Sequence, residues 1–322
     1  MRGCSLVQVP TTLMACVDSS IGGKTAVNVQ HAHVTLKNII GTFHPPSRVY
    51  IDIAAIAALP PRQFCNGMAE IIKCAIIASP PLYAFLSASS PLQIQTQPTA
   101  LARVISTAID VKAAIVAEDP LETKGVRELL NLGHTAGHAV EATCSDMLHG
   151  ECVAVGLVCE MSVAAALGHL PFHCLPPLFQ LLDLYHLPTH PPPSLSLPAA
   201  AAALLKDKKN TSSSPGSAAA VSVVLMTDIG CPLARKALPV PAWLVTCTLA
   251  RSISVTPPCR PIIADIKVPG SKSISNRALL LAALCPHPVV LSGVLHCDDT
   301  SVMVEGVCPS NSPCNALPAI TS

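Results

Sequence analysis

His134 and His138 stand four residues apart, so on a helix they share one face. Two imidazoles at that spacing can hold one metal ion, although Thr135 fills the place where a zincin helix has its glutamate. A third histidine, His149, precedes Gly150 and Glu151 at the head of another apolar segment. Glu70 lies on a further apolar stretch, with Lys73 one turn on. Burying an unpaired charge is costly, so that pair needs a reason. Any one of these histidines could be an ordinary polar or capping residue. Two or three of them together with Glu70 make a nitrogen and oxygen donor set with an open position, which suits zinc.

The cations give a second clue. Lys24, Lys37, Lys73, Lys112, Arg127 and Lys208 fall beside Gly, Asn or His motifs and not in long charge runs. With Asn38 and Asn131 they point to an anionic, polyhydroxylated, phosphorylated substrate. The "GGKT" turn at Lys24 is a weak phosphate signal alone, because the upstream glycine of a P-loop is absent.

These residues need elements to hold them. "SLVQVP" (Ser5 to Pro10) reads as a buried strand and "SRVYID" (Ser47 to Asp52) as a second. From "PPRQFCNGMAEIIKCAII" onward the period is helical, with Met68, Ile71, Ile72, Ala75 and Ile76 on one stripe. "ALARVISTAIDVKAAIVAED", "HTAGHAVEAT", "GECVAVGLVCEMSVAAALG" and "LPAAAAALLKDKKN" read as further helices, and "AAVSVVLMTDIG" returns to strand. Residues 236–258 read as a linker. "IIADIKVPGSKSISNRALLLAALC" is strand, turn and helix, and the last stretch, "CPSNSPCNALPAITS", reads as disordered.

Composition sets limits. Half of the 322 residues are hydrophobic, so a sizeable core is possible, while charged residues are only 12% and the net charge is +1. No broad nucleic-acid or anionic-membrane surface is expected, so any anion site must be local. The 15 cysteines are odd in number and scattered, with no C-x-x-C pair, which argues for free thiols in a reducing cytoplasm. The most apolar helix is interrupted by Glu160 and falls short of a membrane span, and the N-terminus lacks a signal-peptide run.

"VPTTLMACVDSSIGGKTAVN", "KNIIGTFHPP", "NGMAEIIKCAII", "LLNLGHTAGHAVEA" and "LHGECVAVGL" occur in this order and closely resemble 3-dehydroquinate synthase. "VPGSKSISNRALLLAALC" then resembles the opening of 5-enolpyruvylshikimate-3-phosphate (EPSP) synthase, an order found in pentafunctional arom polypeptides. The resemblance implies a zinc- and NAD-dependent conversion of 3-deoxy-arabino-heptulosonate 7-phosphate to 3-dehydroquinate and phosphate, in a homodimer. It implies Glu70, His134 and His149 as zinc ligands and turns His138 to the substrate, where Glu122 and Lys24 also serve catalysis. Asp18, Asn38, Lys73, Lys112, Arg127, Asn131 and Lys208 match substrate contacts, and Arg2 an arginine that reaches the neighbouring subunit's site. Thr11, Thr12, Lys37 and Asn66 match the NAD side; Lys272, Ser273 and Arg277 match shikimate-phosphate binders.

The fold expected is α/β plus α. Residues 1–58 would be part of a Rossmann-like nucleotide-binding domain, 59–235 a helical metal and substrate domain, 236–258 a linker, and 259–322 the start of an α+β EPSP synthase domain. The family's Gly-rich pyrophosphate turn is not found in the sequence, so weak NAD binding and impaired catalysis are expected. The alternatives are a non-catalytic zinc-binding or dimerising module and a glycerol-dehydrogenase-like relative.

Overall fold

The computed structural model describes residues 4–31, 34–206 and 219–250, and residues 266–267, 279, 291–292 and 320–321. Residues 1–252 and 253–322 form separate compact units. The first unit opens with four short strands: β1 (Val7–Gln8), β2 (Val27–His31), β3 (Val34–Ile40) and β4 (Arg48–Val49). β1 pairs with β4 in parallel, and β2 with β3 antiparallel. "SLVQVP" therefore contains a strand, but not a buried one: Val7 and Val9 are exposed, as is Tyr50 beside β4. A two-stranded pair has too little area to bury its own faces. Between β1 and β2, Ala15–Ser19 makes one π-helical turn that carries Asp18.

Helices dominate from residue 53. They are α1 (Ile53–Ala57), α2 (Pro61–Ala78), α3 (Pro80–Ser87), α4 (Pro91–Thr96), α5 (Pro98–Glu118), α6 (His134–Glu141), α7 (His149–Ala166), α8 (Leu175–Leu184) and α9 (Leu197–Lys206). Prolines do much of the punctuation. α2, α3, α4 and α5 each begin on one, where a missing N–H costs nothing and the fixed φ suits the first turn. α8 lies in the Pro-rich stretch after residue 170 for the same reason, with Pro176 in its first turn.

α2 and α7 form the centre of the unit. Phe64 to Ile77 of α2 and Cys152 to Met161 of α7 are buried throughout, the pattern of helices surrounded on all sides. Contrary to the expectation that Glu160 keeps it short of a span, α7 is by length and composition apolar enough to cross a membrane, the one such helix among the described residues. However, 78% of it is buried inside this core, as in a core helix. α6 lies antiparallel on α7 at backbone distance. A Cβ on Gly156 would sit 1.8 Å from the Gly133 carbonyl oxygen, and one on Gly137 would sit 3.0 Å from that of Cys152.

The segment read as a linker is partly core. After β5 (Ala220–Val223), β6 (Met226–Asp228) and β7 (Cys231–Pro232), β8 (Leu238–Pro241) pairs antiparallel with β5. α10 (Ala242–Leu249) then packs on α7 and α9, burying Val245 and Leu249. Pro239 and Pro241 hide the strand signal, yet both are tolerated because β8 has a partner on one side only. The bound expected at residue 58 falls inside the compact unit of residues 1–252. In the second unit β9 (Ile266–Lys267), β10 (Leu291–Ser292) and β11 (Ile320–Thr321) pair in parallel, with β10 central.

The α6–α7 contact generates a stability prediction. Gly156→Ala must push the helices apart and should cost about 3 kcal/mol in urea unfolding. Gly168→Ala meets no atom within 4 Å, and its φ of 76° should cost only about 1 kcal/mol. Equal losses would contradict the close-approach account.

Candidate metal centre

Three helices converge on one buried carboxylate. α2 supplies Glu70 and, one turn on, Lys73, each with a side chain only 2% exposed. Lys73 Nζ pairs with Glu70 Oε2. Glu70 Oε1 is buried and accepts no hydrogen bond. It faces His134 Nε2 at 3.4 Å and His149 Nε2 at 3.8 Å. The ligand atoms of Glu70, His134 and His149 all lie within 4.8 Å of one another.

Each histidine is the first residue of its helix, and its other ring nitrogen is occupied. His134 Nδ1 lies 3.2 Å from the Leu132 carbonyl oxygen, which can only accept, so Nδ1 carries the proton and Nε2 offers its lone pair. Burial, then the charges of Lys73, His138 and His149, hold His134 well below the ordinary imidazole pKa, so it stays neutral. His149 Nδ1 lies 3.1 Å from Glu141 Oε1 at the end of α6. That hydrogen bond raises the His149 pKa against the effect of burial, with Glu70 adding to it. His138 packs its ring against both, with centroids 5.3 Å from His134 and 6.2 Å from His149.

A buried carboxylate oxygen without a donor, faced by two imidazole nitrogens aimed inward, fits a divalent cation. The donor set is two nitrogens and one oxygen, which suits zinc better than an oxygen-loving ion. The spacing of His134 and His138 alone points to those two as a pair. The fold instead puts His149 at Glu70 and leaves His138 beside them.

Around this centre sit charges from other elements. Lys112 on α5 is buried and donates to both the backbone oxygen and the carboxylate of Asp18. Burial alone would raise the Asp18 carboxyl, but the Lys112 ammonium, with Lys73 behind it, holds it well below the usual range. Lys24 and Glu122 form an ion pair at 2.7 Å, and Glu122 has the left-handed φ of 57°, uncommon for a side-chain-bearing residue. Arg127 is the second residue of the turn Val126–Asn131, which ends on the half-buried Asn131. Its guanidinium donates to the carbonyls of Pro120 and Gly22, each at 3.0 Å, which ties the Lys24 turn to the Glu122 loop.

Of the residues matched to the NAD side, Thr11 and Thr12 are exposed, and Thr12 Oγ1 accepts from Ala15 N. Asn66 Oδ1 accepts from Gly150 N at 2.6 Å, at the head of α7. Lys37 and Asn38 lie on β3, and only their backbone is described. Arg2, Lys208, Lys272, Ser273 and Arg277 lie outside the described residues. All ten described cysteines are free, and none joins the donor set.

Sequence reasoning missed four carboxylates that hold this arrangement. Asp119 accepts from the N–H groups of Thr123, Lys124 and Arg127 and so shapes the Glu122 loop. Glu151 accepts from Leu148 N and takes two hydrogen bonds from Arg62 at the start of α2, joining the helices that carry Glu70 and His149. Glu141 reaches His149, and Glu160 reaches α6. Their one sequence signal is a charge inside or beside an apolar run, which does not say what it faces.

Residues 1–66 match the family of the 3-dehydroquinate synthase N-terminal part, residues 67–210 that of its C-terminal part, and residues 257–308 the EPSP synthase (3-phosphoshikimate 1-carboxyvinyltransferase) family. The chain is 39% identical over 338 aligned residues to a pentafunctional AROM polypeptide of Mycosarcoma maydis, and 38% to that of Malassezia globosa. Those alignments cover 95% of this chain, and the chain spans about a fifth of the relatives' length (19% and 20%). Among solved structures, 2-deoxy-scyllo-inosose synthase complexed with carbaglucose-6-phosphate, NAD+ and Co2+ superposes with a TM-score of 0.68 at 27% identity, covering 77% of this chain and 67% of that one. ValA, a 2-epi-5-epi-valiolone synthase from Streptomyces hygroscopicus with NAD+ and Zn2+ bound, gives 0.62 at 28% identity, covering 76% and 65%.

The Asp18–Lys112 pair generates a pH prediction. The folded Asp18 pKa lies below its free value of 3.8, so its contribution is complete above that value and is lost as pH falls through the folded pKa. The thermal midpoint of the metal-free chain should therefore fall from pH 6 to pH 3. Asp18→Asn should flatten part of that slope and cost about 3 kcal/mol at pH 6 by stranding Lys112. An unchanged slope in the variant would contradict the pairing.

Proposed function

Because residues 1–210 belong to the 3-dehydroquinate synthase family, we propose that the chain carries the metal and substrate site of a 3-dehydroquinate synthase, converting 3-deoxy-arabino-heptulosonate 7-phosphate to 3-dehydroquinate and phosphate. The observation that carries the reading is the unpartnered Glu70 Oε1 faced by His134 Nε2 and His149 Nε2. These three residues would hold zinc. When bound, zinc supplies Lewis-acid polarisation of a carbinol oxygen, and NAD supplies a hydride acceptor that returns what it takes. The relatives of known structure that carry NAD+ with Co2+ or Zn2+ support both cofactors.

The chain's own residues provide the rest. His138, beside both ligand histidines, is placed to exchange a proton with bound substrate. Lys24, Lys73, Lys112 and Arg127 supply positive charge for a carboxylate and a phosphate, and Asp18, Asn38 and Asn131 hydrogen bonds for hydroxyls. Lys24 and Glu122 enter as an ion pair, so an incoming phosphate can take Lys24 and release Glu122 as a base. Thr11, Thr12, Lys37 and Asn66 make the NAD side. Lys208 would add a substrate contact and Arg2 would reach a partner subunit in a homodimer, in the reducing cytoplasm that free thiols suit. Lys272, Ser273 and Arg277 would bind shikimate phosphate in the second unit, as part of a multifunctional enzyme of aromatic amino-acid biosynthesis.

Metal analysis of purified protein should find about one zinc per chain, and His149→Ala should weaken binding by more than about 100-fold. With zinc and excess NAD, phosphate should be released from the heptulosonate phosphate, and His149→Ala should abolish that release. Zinc binding without phosphate release would reject the catalytic reading in favour of a non-catalytic metal module. No zinc in either protein would reject the metal site itself.

A further inference from the structure

Glu160 is fully buried, eleven residues beyond His149 on the same helix. One carboxylate oxygen accepts from Gly133 N at 2.9 Å and the other from Ala136 N at 3.2 Å. These donors belong to the start of α6, where backbone N–H groups have no partner within the helix. They flank His134. Two hydrogen bonds from separate points of one helical turn to the two oxygens of one carboxylate fix both the height of α6 along α7 and its rotation. The carboxylate also lies at the positive end of the α6 dipole, where an acceptor is favoured.

The neighbourhood leaves α6 no other seat. Gly156, one turn before Glu160, lets the Gly133 carbonyl approach α7, and Gly133 itself has the left-handed φ of 77°. Thr135 Oγ1 donates to the Ser222 carbonyl at 2.8 Å, pinning the next residue of α6 to β5. α7 thus sets the centre from both of its ends. It carries His149 directly, and through Glu160 it places the turn that carries His134.

We infer that Glu160 is a positioning residue for the metal centre: by holding the Gly133 and Ala136 amides it aims His134 Nε2 at Glu70. It touches neither metal nor substrate. The inference rests on the metal reading of Glu70, His134 and His149.

Glu160→Gln keeps size and one acceptor oxygen but turns an N–H₂ donor toward one of the two amides. Zinc affinity, measured by competition with a chelating indicator, should fall about 10-fold, as for residues that orient a ligand. The visible spectrum of the Co2+-loaded variant should change with it. Leu178→Ala, a buried position on α8, should lower the thermal midpoint at least as much yet leave zinc affinity within about twofold of the unaltered chain. Glu160→Gln with unchanged zinc affinity, or Leu178→Ala with an equal loss, would overturn the inference. Should Glu160→Gln fail to fold, hydrogen exchange on the unaltered metal-free chain decides. The Gly133 and Ala136 amides should already be protected, and free exchange until zinc is added would show that the metal, not Glu160, places the helix. An unaltered chain that takes up no zinc overturns the metal reading and Glu160's service to a ligand, and amide protection then separates that failure from a wrong assignment of Glu160.

Discussion

The constraint on which the rest depends is the burial of the Glu70 carboxylate. A charge sealed in a helical core is tolerated only when it is compensated. Lys73 compensates one oxygen from the next turn of α2. The other oxygen has no hydrogen-bond donor and looks at two imidazole nitrogens. A cation at that point turns a cost into a bond. This arrangement explains why Phe64 to Ile77 of α2 is buried on every side although it includes Glu70 and Lys73, and why two helices begin at the same place.

Both histidines occupy the first residue of a helix, and a position at a helix start is only as good as the seat of the helix. Carboxylates provide the seats. Glu151 caps α7 and is clamped by Arg62 from the helix that bears Glu70. Glu160 seats α6, and Glu141 orients the ring of His149. Glycines 133, 137 and 156 permit the backbone approach that lets these short side chains reach. In a chain with few charges, Glu70 and Glu160 are both buried on helices that meet at this centre, while the buried Asp119 holds the Glu122 loop.

Much of this was legible in the sequence. The stripe of Met68, Ile71, Ile72, Ala75 and Ile76 marks α2, and the amphipathic run "ALARVISTAIDVKAAIVAED" marks α5, whereas α3, α4 and α8 are not anticipated. The grouping of Glu70, His134 and His149 was legible only through the resemblance, because the spacing of residues on three separate helices carries no information about their meeting. By spacing alone His138 was as good a partner for His134. Glu160 looked like a defect in an apolar run, since a sequence shows that a charge is buried but not what it hydrogen-bonds. β8 and α10 were read as linker because Pro239 and Pro241 mask strand propensity, and α10 earns its place through contacts with α7 and α9 that only tertiary packing supplies. "SLVQVP" has a core strand's composition, yet in a two-stranded pair its valines stay exposed.

The central claim is that one carboxylate and two imidazoles from α2, α6 and α7 form a zinc site in a chain that also holds 15 cysteines. X-ray absorption at the zinc edge of the metal-loaded chain tests it most directly, because sulfur ligands are easily told from nitrogen and oxygen. The account predicts a first shell of nitrogen and oxygen only, at about 2.0–2.1 Å, with the multiple scattering of two imidazoles that drops to one in His149→Ala. A shell containing sulfur at about 2.3 Å, or one unchanged by that substitution, would contradict it.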